Sequence, residues 1–175
     1  MSFITTFTGK KFDPVHPEVE LIDIRDIAHA LSMLCRANGH VKHFYTVGQH
    51  SLACYHEAEA RGYSEKIKMA CLLHDASEAY LSDVTRPIKK TLPEYLVVED
   101  KLQTVIWNKY LASPLTEEEE KKVFEIDDDM LDYEFKHLMP RELSDRYKNI
   151  VGNHDLSFVD PKLVEDQLFE LMSKK

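Results

Sequence analysis

Apolar residues recur at helical spacing from residue 24 onward. Ile24, Ile27, Ala28, Leu31, Leu34 and Cys35 repeat at three- and four-residue intervals, the pattern of one buried helical face. Asn38-Gly39 supplies a stop after them. A second helix is predicted from Thr46, an N-cap, to Gly62. A third runs from Ser64 through Ile67, Ala70, Cys71 and Leu73 toward Leu81. The stretch Ser82-Asp83-Val84-Thr85-Arg86-Pro87 breaks the pattern. A fourth helix extends from about Pro93 to Leu111, with proline in the first turn, where a missing N–H does no harm. Thr116-Glu117-Glu118-Glu119 is a capping-box signature for a long helix toward Met139, and a last helix covers about residues 161–173. The first twenty residues differ. Pro14 and Pro17 discourage helix, and Thr8-Gly9-Lys10 marks a tight turn, so an irregular or hairpin start is predicted. No convincing run of alternating strand residues appears. The expectation is an all-α bundle of about six helices, one domain over residues 1–175 with a motif-bearing core at about 23–140.

Composition narrows the function classes. At 175 residues the chain is long enough for one real core. It holds no stretch of eighteen apolar residues, so no membrane span is expected. Met1 to Thr6 lacks the basic start and apolar run of a signal peptide. Cys35, Cys54 and Cys71 show no CxxC spacing and read as reduced core residues of a cytoplasmic protein. A formal charge of −9 argues against long nucleic acids, yet it is compatible with a small phosphorylated ligand held by a metal and a few local cations. Glu117 to Glu120 read as a solvated helix start favoured by the macrodipole.

The chemistry concentrates in four residues: His50, the adjacent pair His74-Asp75, and Asp127. Two imidazoles and two carboxylates form a mixed nitrogen/oxygen set suited to a divalent transition metal that activates water, with Mn, Co, Fe, Ni and Zn all compatible. The pair follows the apolar run Cys71-Leu72-Leu73, where unpaired ionisable groups would cost several kcal/mol. Chance alone gives roughly 0.7 His-Asp pairs in a chain of this composition, so the dipeptide proves little by itself. Context separates this pair from the second one, His154-Asp155, which follows the loop signal Gly152-Asn153. Glu78 and Asp83 follow His74-Asp75 closely enough to handle protons in the same cleft; a solvated helix end and a turn residue are the plain alternative. Asp128 and Asp129 are alternatives to Asp127, which borders the apolar face of Val123, Ile126, Met130 and Leu131 more closely than Asp129 does. His29 reads as a packed, hydrogen-bonded residue, and His56 points to a different face from His50. Trp107 reads as core or dimer contact rather than a base-stacking platform.

These motifs also carry a resemblance to a known family. Leu72-Leu73-His74-Asp75-Ala76-Ser77-Glu78, with Asp83 and Pro87, resembles the signature of HD-domain metal-dependent phosphohydrolases, most closely the subgroup of bacterial 5′-deoxynucleotidase. Tyr45-Thr46-Val47-Gly48-Gln49-His50-Ser51 is similar to that family's first-histidine motif. Ile126-Asp127, with Met130, Leu131 and Glu134, is similar to its last-aspartate helix. The resemblance covers roughly residues 12 to 140. It implies a single HD-domain helical bundle and one metal held by His50, His74, Asp75 and Asp127. It implies that Glu78 assists proton transfer, that Asp83 positions the substrate, and that Arg36 binds phosphate, with Lys42, His43 and Arg86 as weaker candidates for that task. Two features depart from the pattern. Arg36 precedes Ala37-Asn38 where the deoxynucleotidase has Trp-Pro, which leaves the sugar open. Gln49 stands where glutamate is common, which bears on how His50 is oriented. The implied activity is removal of phosphate from a nucleoside 5′-monophosphate by metal-activated water, with a homodimer as the implied assembly. The alternatives are a hydrolase of a cyclic or pyrophosphorylated nucleotide and a non-catalytic metal- and nucleotide-binding HD protein.

Overall fold

A computed structural model describes residues 3–140 and 150–174. The N-terminal segment is a two-stranded antiparallel hairpin, β1 (Ile4–Thr5) and β2 (Lys11–Phe12), with Ile4 opposite Phe12. Gly9 turns it with φ +82°, a left-handed conformation that glycine adopts without steric cost. Asp26 ties the hairpin down, accepting from the backbone N–H and the hydroxyl of Thr8 at 2.6 and 2.9 Å. Among the described residues eight α-helices follow: α1 (Ile24–Met33), α2 (Val47–Ala60), α3 (Glu65–Leu72), α4 (Glu78–Leu81), α5 (Arg86–Lys89), α6 (Pro93–Tyr110), α7 (Glu117–Leu138) and α8 (Pro161–Met172). Short 3-10 turns lie at Val19–Leu21 and Arg36–Gly39. The protein is all-α with a small N-terminal hairpin.

Helix α2 is the axis of the molecule. Residues Tyr45 to Tyr55 are buried without interruption, so the first part of α2 is enclosed on every side, while His56, Glu59 and Ala60 near its end are exposed. Two apolar clusters share it. One gathers Phe12, Ile27, Leu31, Leu102, Ile106 and Leu168; the other gathers Cys54, Ile67, Cys71, Val123, Ile126 and Met130. Gly48 lets α8 close on α2. A Cβ there would stand 2.9 Å from both Leu168 Cδ1 and Val164 Cγ1, inside van der Waals contact. The capping boxes at Thr46/Gln49 and Thr116/Glu119 start α2 and α7 at the predicted residues.

Three boundaries differ from the sequence expectation. Helix α1 ends at Met33, not near Asn38-Gly39, because Cys35 leaves the helix to pair with Thr46 in an isolated β-bridge. The helix predicted from Ser64 to Leu81 is two helices separated by turn residues 73–77. The predicted break at 82–87 runs into the four-residue α5. These last two differences account for eight helices where about six were expected.

Beyond residue 149 the chain is strapped onto α2. Buried Glu57 accepts from Val151 N, Gly152 N, His154 Nε2 and Arg61 Nε at 2.8–3.0 Å. Burial alone would raise its carboxyl, but the donors of His154, Val151, Gly152 and Arg61 outweigh it and bring Glu57 down to about 2. A depressed carboxyl contributes stability that is complete above its ordinary value of 4.5 and is lost as pH falls toward about 2. Glu57→Gln is expected to cost on the order of 2 kcal/mol at neutral pH and to flatten that acid limb. Thermal melts of both proteins from pH 7 to 2 check this; parallel acid limbs would contradict it.

Candidate metal centre

His74 and Asp75 occupy the turn between α3 and α4 rather than a helix. Gln103 of α6 holds that turn from both sides, donating to Leu73 O at 2.7 Å and accepting from Ser77 N at 3.1 Å. His50 comes from α2 and Asp127 from α7. The ring nitrogens His50 Nε2 and His74 Nε2 stand 3.2 Å apart. Asp127 Oδ1 lies 3.1 Å from the first and 3.6 Å from the second. Asp75 Oδ2 lies 3.3 Å from His74 Nε2 and 3.8 Å from His50 Nε2. All four sequence-predicted ligand candidates therefore meet at one point.

The outer nitrogens are already committed. His74 Nδ1 is 2.7 Å from Cys71 O, a bond in which only the nitrogen can donate. His50 Nδ1 is 2.9 Å from Glu134 Oε1, a buried carboxylate that also accepts from Tyr45 Oη at 2.9 Å. Neutral imidazoles bonded this way turn two Nε2 lone pairs toward each other and toward two carboxylates. Burial opposes charge on His74, yet Asp75 and Asp127 outweigh it and push its pKa well above the ordinary value. For His50, burial and Arg36 oppose the charge, and Glu134 and Asp127 reverse the balance. The field at this point favours a cation.

Cys54, one turn after His50 on α2, completes a buried His50–Cys54–His74 group whose ligand atoms lie within 4.8 Å of one another and which could hold a metal ion. Its sulfur is 3.6 Å from His50 Nε2 and 3.9 Å from Nδ1, nearly equidistant, which places it against the ring rather than along the Nε2 lone pair. Burial, followed by the charges of Asp127 and Glu134, drives this thiol well up.

The centre opens into a cavity of about 850 Å³. Arg36, Glu78, Asp83 and Arg86 line it. Arg36 is buried, with Nε 3.3 Å from Glu134 Oε2 and Nη1 3.6 Å from Asp75 Oδ2. Ala37 and Asn38, which follow it, both have φ +51°, a left-handed conformation costing roughly 1–2 kcal/mol per non-glycine residue. Ala37 and Asn38 thus carry backbone strain beside the buried guanidinium. Glu78 is buried with its Oε2 unpartnered. Burial and then Asp75 and Asp83 push its carboxyl well above the usual range. Ser82 at φ +77° precedes Asp83, whose carboxyl burial and Asp75 also raise.

Other expectations end elsewhere. Lys42 does not line the cavity: its Nζ donates to His137 O at 2.8 Å and its N–H to Leu138 O, satisfying the end of α7. His43 Nε2 meets Leu156 O at 2.8 Å. Arg86 reaches the cavity but is engaged by Asp127 and Asp128. Asp129 pairs with Arg61. Gln49 does not orient His50. Its Oε1 accepts from Thr46 N, its Nε2 donates to Ser157 O, and Glu134 does the orienting instead. His29 is hydrogen-bonded to Glu165 and stacked on Phe7, and His56 is on the exposed side of α2. Trp107 packs against both apolar clusters and also lines the cavity.

Two site residues are not singled out by the sequence: Gln103, and Lys89, whose Nζ is 2.7 Å from Glu99 and 3.5 Å from Glu78. Glu134 belongs to the last-aspartate motif, but its role as the partner of His50 emerges only in the structure. Glu134 left a signal, because it continues the four-residue repeat of Ile126 and Met130 as a carboxylate on an apolar face.

The fold and site define an all-α protein with a buried histidine-rich group able to hold a metal. No known protein-family profile matches the chain. It is 41% identical over 115 residues to an uncharacterized protein of Escherichia coli K12, YfdR, a match covering 66% of this chain and 62% of that protein. It is 35% identical over 105 residues to an uncharacterized protein of Rhodobacter capsulatus, covering 57% and 53% respectively. The match spans less than two thirds of either relative's length. Among the described residues no helix is long and apolar enough to cross a membrane.

Proposed function

We propose that the chain is an HD-type metal-dependent phosphohydrolase that removes phosphate from a nucleoside 5′-monophosphate. The observation that carries this is the convergence of His50 Nε2, His74 Nε2, Asp127 Oδ1 and Asp75 Oδ2, with both Nδ1 atoms already bonded elsewhere. Donors ~2.0–2.2 Å from one first-row ion stand ~2.8–3.6 Å apart for right-angled to tetrahedral arrangements. The closest pairs here, at 3.1–3.3 Å, fall inside that range. These four residues would hold the ion, with Cys54 packed on the His50 ring. Mn, Co, Fe, Ni and Zn all suit the donor set. A bound divalent ion supplies an acidified water as nucleophile and neutralises phosphate charge.

The remaining residues divide the work. Arg36, pinned by Glu134 and Asp75, offers a fixed cation to the phosphate oxygens at the cavity floor. Burial, Asp75 and Asp83 raise the Glu78 carboxyl and so favour its protonated form, which can pass its proton to the leaving 5′-oxygen as the ester bond breaks. Asp83 faces the same space and can accept from a sugar hydroxyl. Trp107, Phe124 and Phe135 give the cavity an aromatic wall for a nucleoside.

The test is release of inorganic phosphate from ribo- and deoxyribonucleoside 5′-monophosphates with Mn²⁺ or Co²⁺, beside a chelator control. Chelator-sensitive release supports the reading and orders the substrates. A cavity of about 850 Å³ also admits larger ligands, which favours cyclic or pyrophosphorylated nucleotides as the second reading. A 5′-monophosphate or pyrophosphate as product would select it. Tight nucleotide binding with no product from any substrate would make the protein a sensor instead.

A further inference from the structure

We propose that Arg86 is a positioning residue for the metal centre, holding Asp127 so that one carboxylate oxygen faces the histidines. This rests on the metal-site reading above and extends it to a residue outside the ligand set. Asp127 divides its two oxygens. Oδ1 faces His50 and His74 at 3.1 and 3.6 Å, while Oδ2 is held by Arg86 Nη2 at 2.6 Å. The other arm of the guanidinium, Nη1, holds Asp128 Oδ1 at 2.5 Å. Successive residues of α7 point about 100° apart, so a planar fork with two donors can grip both carboxylates and thereby fix the rotation of the Asp127 side chain. A lysine offers a single point charge and cannot hold both in that way.

Two further features support a role at the site over a role in stability. The Arg86 side chain is half exposed, and ion pairs in that setting contribute little to folding. Helix α5, which carries Arg86, buries none of its four residues, so it has no apolar anchor. Its attachments are polar: Arg86 to α7, and Lys89 to Glu78 on α4 and Glu99 on α6. The fork therefore links a lightly packed strap to the carboxylate beside the two imidazoles. Replacing a group that orients a metal ligand commonly lowers metal affinity about 10- to 100-fold.

Calorimetric titration with Mn²⁺, and the visible absorption of the Co²⁺-loaded protein, test the proposal on wild type, Arg86→Ala, Arg86→Lys and Asp128→Asn. The expected result is Mn²⁺ affinity about 10- to 100-fold weaker in Arg86→Ala, with a smaller loss in Arg86→Lys and Asp128→Asn. The Co²⁺ band should change shape in Arg86→Ala, because a released Asp127 can turn its second oxygen inward. Should Arg86→Ala fail to fold, the graded losses of the other two variants carry the test. Wild-type affinity and an unchanged Co²⁺ spectrum in the variants, with KM for a phosphate ester raised, would overturn the proposal and make Arg86 a substrate cation. A wild-type protein that binds neither ion would overturn the metal-site reading as well.

Discussion

Asp75→Asn is expected to lose bound metal and phosphate release together. The substitution keeps shape and removes charge. Asp75 Oδ2 lies 3.3 Å from His74 Nε2 and 3.6 Å from Arg36 Nη1, so its charge serves the candidate ion and the buried Arg36 guanidinium at once. An amide is a weak ligand for a first-row ion, and its nitrogen, if turned inward, would present a donor to a lone-pair cluster. The site would also lose one of the two carboxylates that favour a cation beside His74. Metal content after desalting and phosphate release at saturating substrate are the readouts. Both should fall to background while the helical circular dichroism stays. An Asp75→Asn protein that keeps its metal and full rate removes Asp75 from the centre.

Glu78→Gln is expected to separate metal binding from turnover. Glu78 is not among the converging atoms, so metal content should match wild type. Loss of a positioned proton donor typically costs about 10²–10⁴ in rate, and the glutamine cannot supply the proton. The pH dependence follows from the raised carboxyl. The wild-type rate should fall as pH rises through the elevated pKa and Glu78 loses its proton. That alkaline limb should be absent in the variant. Stability moves the other way. Because the folded carboxyl is raised, the contribution of Glu78 is most favourable below the ordinary value of 4.5 and declines as pH rises above it. The variant carries no such penalty and should melt higher than wild type at neutral and alkaline pH. A slower enzyme with unchanged stability would make Glu78 a solvated residue rather than a buried acid.

How much of this was legible from sequence depends on the range of the interactions. Helix starts were readable because caps are local: Thr46, Ser64 and Thr116 each accept from the N–H three residues on, and α2, α3 and α7 begin just after them. The metal-ligand candidates were readable because their side-chain types announce a shared chemistry across seventy-odd positions. The break of the third helix at His74-Asp75 was not. Leu72, Leu73 and Ala76 keep a helical rhythm, and the force that holds the turn comes from Gln103 in α6. The pairing of Arg86 with Asp127 was hidden for the same reason, since it joins residues 41 positions apart. Lys42 shows the reverse case: a cation near Arg36 in sequence reads as a phosphate candidate, while in space it serves the carbonyl end of α7.

The close approach at Gly48 has a consequence for the order in which the protein matures. His50, His74, Asp75 and Asp127 all leave the ribosome before α8 does. Yet the face of α2 just before His50 is covered by Val164 and Leu168, near the end of the described chain. During synthesis the nascent bundle therefore displays an apolar groove along its central helix until the residues around 172 emerge. At elongation rates of about 5–20 residues per second, the stretch from Asp127 to Met172 takes a few seconds to appear. Over that interval a chain with every candidate ligand already made still lacks the helix that closes its core.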